Sequence, residues 1–300
     1  MAPRNSLKGR SSSGLNIRTR TEKIILWIFF VLYIAYAITL FFPMIWVAYN
    51  SLKDMRSYND NAMNFPTFAN MHWDNYVNIF DEEQMTVSIP VAIFNTLWRT
   101  LGSVAFGIFF TACTSYVVCK YSDRFKWLNH IYTFVVTIMI VPILGSTAAA
   151  YEINHNILHI ANNPLLWWTT WTSGIGFGFL MQYSAWKSLS WTYAEAAFID
   201  GASNFKVFFK IMMPMIRPIL VALFVVNFIG GWGEYMETIM YMDEFPSLGY
   251  MVYSLQSRAQ YFGMPMYFAV IMVSMIPTIG IFIAFQETIM QNMTTGGLKG

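Results

Sequence analysis

Three ionisable side chains sit where charge is expensive. Arg99 lies inside an apolar run over residues 91–119, and Glu234 and Glu237 interrupt another that begins after Pro218. Within a bilayer such a charge costs about 2.5–3.5 kcal/mol on the insertion scale, so it normally faces a cavity or an opposite charge. Two carboxylates three residues apart share one helical face, and Arg99 is expected to pair with Glu234 or Glu237 beside a polar path. The plainer reading makes the two glutamates the end of an interfacial segment and lets Arg99 snorkel outward.

Other groups promise less. Glu152, His155 and His159 have spacings that suit one helix face, but no fourth ligand or supporting motif accompanies them, so no metal site is expected. Cys113 and Cys119 fall in one apolar segment and read as packing residues. Gly174, Gly176 and Gly178 lie in an apolar run instead of a strand-to-helix turn, where small residues serve close helix approach better than dinucleotide binding. The chain has no Gly-x-x-x-x-Gly-Lys-Ser/Thr phosphate loop and no nucleophile–base–acid constellation, so it is expected to be no enzyme and to bind no cofactor itself.

The elements that must position these residues are membrane helices. The 300-residue chain is 56% apolar and 18% aromatic, with only 11% charged residues, against roughly 25% in soluble proteins. Its net charge of +2 is too small to suggest nucleic acid as a partner. Five runs, over 24–49, 91–119, 127–151, 165–186 and 262–286, reach the roughly 20 residues needed to span a bilayer. A sixth, over 218–242, is expected to break near Gly230, Gly231 and Gly233, because irregular backbone at that depth survives where protein or a water-filled cavity satisfies it. The fold class is therefore an all-α membrane protein with six transmembrane helices. Basic residues cluster before the first run, over 120–126, over 187–217 and at Lys299, while the opposite loops hold only Lys53, Arg56 and Arg258. Both termini are accordingly expected in the cytoplasm. Residues 1–23, Ser-rich and basic, are expected to be disordered against anionic lipid; 24–287 form the transmembrane domain, and 288–300 a cytoplasmic tail. Trp46, Trp73, Trp127, Trp167, Trp168, Trp186 and Trp191 fall near span ends and suit an interfacial belt.

Between the runs over 165–186 and 218–242, residues 190–214 read as two short helices on the cytoplasmic side. Thr192 and Glu195 have capping-box spacing, Gly201 can end the first helix, Ser203 can cap the second, and Pro214 and Pro218 stop it. Phe198, Ile199, Phe205, Phe208 and Phe209 give the pair more apolar surface than it can bury on itself. It must press on lipid, on neighbouring spans or on another protein.

Glu195-Ala196-Ala197, the step to Asp200-Gly201 and the downstream Pro214 resemble the EAA loop of bacterial binding-protein-dependent ABC importer permeases. In that family the loop forms coupling helices that dock in a groove of a cytoplasmic ATPase. Asn95-Thr96-Leu97, Trp232-Gly233-Glu234-Tyr235 and the terminal Thr294-Thr295-Gly296-Gly297-Leu298-Lys299-Gly300 resemble the carbohydrate branch, in particular its maltose-permease-like second subunit. The resemblance implies the type I importer permease fold, a second homologous permease, two ATPases that hold ATP and Mg, an extracytoplasmic sugar-binding protein and a sugar or oligosaccharide as cargo. It also implies a C-terminal tail that reaches the ATPase interface through Thr295, Gly296, Gly297 and Lys299. Sugars are recognised by aromatic faces with a few convergent polar groups, which makes Asn95, Asn227, Trp232 and Tyr235 path candidates beside Arg99, Glu234 and Glu237. Arg99 and Glu237 depart from the apolar or neutral residues expected of the family, and a guanidinium would suit an acidic sugar. An ion-coupled secondary transporter, with Arg99, Glu234 and Glu237 as a charge relay, is the competing reading.

Overall fold

The computed structural model describes residues 20–81, 87–140, 146–164 and 176–295. Helix α1, Arg20–Asn50, is apolar on every side and leaves its large side chains from Ile24 to Ile45 exposed within the chain. That is the pattern of a helix surrounded by lipid or other protein. It starts inside the segment expected to be disordered: Arg20–Lys23 form the first turn, where Glu22 complements the helix dipole, while 1–19 lie outside the described residues.

Short helices α2 (Met55–Asp60) and α3 (Asp74–Asn78) follow. Asp54 caps α2 by accepting from the Ser57 amide at 3.2 Å, and its hydrogen bonds with Ser57 hold its carboxyl below the usual aspartate range. Lys53 is buried, donates to the Asn61 carbonyl at 3.0 Å and lies over the Tyr49 ring; burial pushes its ammonium below the ordinary lysine range.

The central element is α4, Ile89–Tyr121. Its buried residues Ala92, Thr96, Arg99, Thr100 and Val104 recur every three or four positions and so form one stripe. Around it stand α5 (Leu128–Ile140), α6 (Ser146–Glu152, continuing as a π-turn over Ile153–Ile157) and α7 (Phe177–Ser188). Next come α8 (Thr192–Ile199), α9 (Asn204–Met215, with a π-turn over Phe208–Met212) and α10 (Arg217–Trp232). Finally come α11 (Met236–Tyr241), α12 (Leu248–Phe262) and α13 (Met264–Thr295). One core, with Ile89, Phe228, Trp232, Met251 and Ala269, joins α4, α10, α12 and α13. Another, with Tyr116, Trp186, Ala197, Phe208 and Met212, joins α4 and α7 to α8 and α9.

Among the described residues, α1, α4 and α13 are long and apolar enough to cross a membrane; α9 and α10 meet that test together but bend by 71° at Ile216. The third expected run appears as α5 and α6, and the fourth as α7; 141–145 and 165–175 lie outside the described residues. Helix α13 passes the expected boundary at 287 and runs to Thr295, because 288–295 contain neither Gly nor Pro.

The sixth run breaks where its glycines suggested. Helix α10 stops at Trp232, Gly233 caps it, and α11 starts at Met236. The start of α12 seats directly on that break: a Cβ at Gly249 would stand 2.7 Å from the Gly233 carbonyl oxygen and 2.8 Å from that of Glu234. Gly249→Ala is therefore expected to cost about 1–3 kcal/mol, the usual range for overpacking against atoms that cannot yield. A lowered melting temperature of the purified protein checks this, and an unchanged one refutes it.

Candidate functional site

Arg99 is 6% exposed and lies on the face of α4 that meets α10. Its Nη1 donates to Glu237 Oε2 at 2.5 Å, and its Nη2 donates to the Gly231 carbonyl at 2.7 Å. The broken span makes this possible. Helix α10 ends just past Gly231, whose carbonyl also accepts from the Thr100 hydroxyl and the Glu234 amide, each at 3.3 Å, and α11 restarts in time to bring Glu237 back over Arg99. Gly231 also permits the approach, since a Cβ there would sit 3.2 Å from Thr100 Cγ2. Glu234 and Glu237 do not share a helical face as their spacing suggested, because the break falls between them. Glu234 instead caps α11, its Oε1 accepting from the amides of Met236 at 2.7 Å and Glu237 at 3.2 Å. An acceptor at a helix start satisfies orphan donors and complements the dipole. Arg99 does not snorkel.

A clasp holds the break. Ser247 caps α12 by accepting from Tyr250 N at 3.1 Å, and its hydroxyl donates to the Glu234 carbonyl at 3.0 Å while accepting from Thr238. The Leu248 amide donates to Thr96 Oγ1 at 2.7 Å, and Asn95 Nδ2 donates to the Pro246 carbonyl at 3.1 Å. Asn95 is thereby a strut between α4 and the 246–248 loop. Trp232, buried, donates to the Ser274 carbonyl at 2.9 Å and stacks on Phe228. Tyr235 stacks on Tyr253 at 4.8 Å beside a cavity of about 280 Å³. Of the uncharged path candidates, Asn227 alone lines the larger cavity, about 410 Å³, between α4, α7 and α10.

The 190–214 loop is a helix–turn–helix with two faces. Ala194 and Ala197 are buried against the second core, while Glu195, Ala196, Asp200 and Gly201 face outward. Ile199 and Phe205, 86% and 77% exposed, flank the turn. Gly201 takes φ +76°, the left-handed value for which glycine suits a helix end, and Ser203 accepts from the Lys206 amide. The expected capping box does not form. Ser190 Oγ accepts from the Thr192 amide at 3.3 Å and pairs with the Thr192 hydroxyl at 2.8 Å, taking over both groups. Pro214 is exposed in the last turn of α9, just ahead of the bend at Ile216. Lys120 braces the loop from α4, its Nζ donating to the Leu189 carbonyl at 2.6 Å.

The family model described as "Binding-protein-dependent transport system inner membrane component" matches residues 11–294. The chain belongs to that family. This permease is 23% identical over 273 residues to a diacetylchitobiose uptake system permease of Streptomyces coelicolor, covering 89% of this chain and 87% of that one. It is 24% identical over 267 residues to a sulfoquinovosyl glycerol transport system permease of Agrobacterium fabrum, covering 86% and 89%. A solved bacterial ABC transporter involved in the import of the acidic polysaccharide alginate superposes with a TM-score of 0.73 over 90% of this chain and 98% of its own, at 17% identity. The permease is thus membrane-embedded, all-helical in its described residues and of the type I importer fold.

Sequence reasoning missed four residues of this permease that the structure makes important. Thr96, Ser247 and Gly249 act through partners far away in sequence, although Ser247 just before an apolar helix did carry a cap signal. Gln182, a lone amide in an apolar run, carried a signal as well. Trp186 does not join an interfacial belt: it is fully buried and donates to Ser115 Oγ at 3.0 Å. His155 is spent on the Met240 carbonyl at 3.0 Å and packs against Tyr151 in a three-ring cluster with Tyr241. Of the tail residues, Gly296, Gly297 and Lys299 lie outside the described residues, and Thr295 is described only as the end of α13.

Proposed function

We propose that this chain is one permease half of an ATP-driven importer that carries a sugar or oligosaccharide across the bacterial cytoplasmic membrane. Six spans, with both termini in the cytoplasm, would pair with a second homologous permease to enclose the path. Two cytoplasmic ATPases, holding the ATP and Mg, and an extracytoplasmic sugar-binding protein complete the assembly; this chain hydrolyses nothing. The observation that carries the reading is the two-faced loop: Ala194, Ala197 and Phe208 fix it to α4 and α7, and Ile199 and Phe205 offer apolar surface outward. A handle fixed to the spans and greasy on its free side is what a nucleotide-driven partner could grip through Glu195, Ala196, Asp200 and Gly201. Pro214 would set the bend through which the movement enters α10. The sugar class is supported by the names of the relatives, whose cargoes are carbohydrates or their conjugates.

The test is co-purification followed by reconstitution. Affinity capture of the gently solubilised chain is expected to recover ATPase and second-permease subunits. Proteoliposomes of that complex with its binding protein should take up at least one of a panel of labelled neutral and uronic-acid oligosaccharides, and only with ATP inside the ATPase compartment. Uptake that persists without ATP or without the ATPase would establish the ion-coupled alternative in its place.

A further inference from the structure

A cavity of about 610 Å³ opens between the last turns of α4, the start of α5 and α9. Phe109, Val117, Phe125, Trp127, Phe205 and Phe209 line it and are all exposed, so an occupant meets apolar surface on both sides. The polar lining is confined to Asn204 at the start of α9, Cys113 and two tyrosines. Two ring contacts tie the walls together. Phe209 stacks on Phe109 at 6.1 Å and Phe208 tilts against Tyr116 at 4.8 Å, so the π-turn of α9 forms one wall and α4 the other. From Phe109 to Tyr121 the α4 wall rises about 18 Å at 1.5 Å per residue. That is close to the hydrocarbon depth of one leaflet, roughly 15 Å.

The mouth is basic. Arg124 lies over the ring of Phe125 at 5.6 Å, Lys126 falls between the lining residues Phe125 and Trp127, and Lys206 and Lys210 directly follow Phe205 and Phe209. All four are exposed, and none forms an ion pair among the described residues. Over 121–130 and 204–212, Asp123 is the one carboxylate set against them. An apolar slot of leaflet depth beneath a cluster of cations calls for an occupant that is apolar along its length and anionic at one end. A soluble ATPase cannot carry apolar surface down to Phe109, and a neighbouring helix would cover the aromatic walls without answering the cations. Basic pockets between helices on the cytoplasmic side suit anionic headgroups, and Trp127 at the rim is of the type that settles at headgroup level. We propose that this groove binds one anionic phospholipid of the cytoplasmic leaflet, with an acyl chain against Val117 and Phe209 and its headgroup held by Arg124 and Lys126. Bound there, the lipid touches both a span and the helix that follows the Gly201 turn. The inference goes beyond the importer reading and rests only on its orientation. Phe205 borders both this groove and the coupling surface, so the tests leave it unchanged.

The test uses the complete complex in nanodiscs of equal parts phosphatidylcholine and phosphatidylglycerol. With the photoreactive analogue p-benzoylphenylalanine in place of Phe125, illumination is expected to attach phosphatidylglycerol about twentyfold more often than phosphatidylcholine, since each cation near the headgroup contributes about fivefold. Arg124→Gln with Lys126→Gln should bring the two lipids near parity, and Arg124→Lys with Lys126→Arg should keep the preference. Three results overturn the inference while leaving the importer reading intact: attachment without headgroup preference, a preference indifferent to the two charges, or crosslinks mainly to the ATPase or the second permease. Orientation is read separately. In a Cys113→Ala/Cys119→Ala background, Asn129→Cys should react with a membrane-impermeant maleimide only after the cells are permeabilised. Labelling of intact cells would overturn the orientation, and the lipid site with it.

Discussion

Arg99→Leu is expected to abolish uptake and to destabilise the permease by about 3–5 kcal/mol, the range found when one partner of a buried ion pair is removed. The variant leaves the Glu237 carboxylate, 19% exposed at its side chain, facing a helix with no counter-charge, and it removes the shortest hydrogen bond to the Gly231 carbonyl at the end of α10. That guanidinium bonds to both halves of the broken span at once, so losing it loosens their orientation on α4. Removing the charge on both sides, Arg99→Leu with Glu237→Leu, should recover much of the stability, because two apolar side chains leave no buried charge behind. Transport should recover less, since the geometry of the break is still lost. Thermal unfolding and uptake of the single and double variants measure both terms. A single variant that melts and transports like the parent would remove the pair from the architecture.

The coupling surface should respond as sharply without loss of fold. Ile199 and Phe205 point away from the core that holds α8 and α9, so Ile199→Asp with Phe205→Asp is expected to leave the chain folded and inserted. Burying two such side chains in a partner groove contributes about 1.5–3 kcal/mol each, so their replacement should weaken ATPase association by at least about a hundredfold. Capture of the variant should then recover the second permease but not the ATPases, and ATP-driven uptake should vanish. Full ATPase recovery would show that the motor grips elsewhere. If the ATPase is lost only together with the second permease, the loop is an inter-permease contact instead.

Much of this was legible in the amino-acid order because it is local. Hydropathy alone marked α1, α4 and α13, since a spanning helix must be apolar over its whole length whatever it packs against. The Gly201 turn and the Ser203 cap are likewise decided by the backbone freedom or side-chain reach of one residue each. The capping box failed for an equally local reason, a hydroxyl at Ser190 that competes for the same amide.

Pairing belongs to the tertiary structure. The sequence determined that a charge at position 99 needs a cavity or a partner, with Glu234 and Glu237 of the 218–242 run as the candidates, because solvation energy demands one regardless of fold. It could not say which glutamate, because treating 234–237 as continuous helix puts both on one face. Only the docking of the 246–248 loop on Thr96 and Asn95, and of Gly249 on the Gly233 carbonyl, bends the chain so that Glu234 caps and Glu237 pairs. The same holds for Trp186 and Gln182: their types follow from composition, but burial beside Ser115 or at the edge of a cavity arises from helices far apart in sequence meeting at one level. Hydropathy and backbone preference act over a few residues and so can be read from one strand of text. Hydrogen-bond partners and cavities are properties of two or more helices at once, and exist only after those helices have packed.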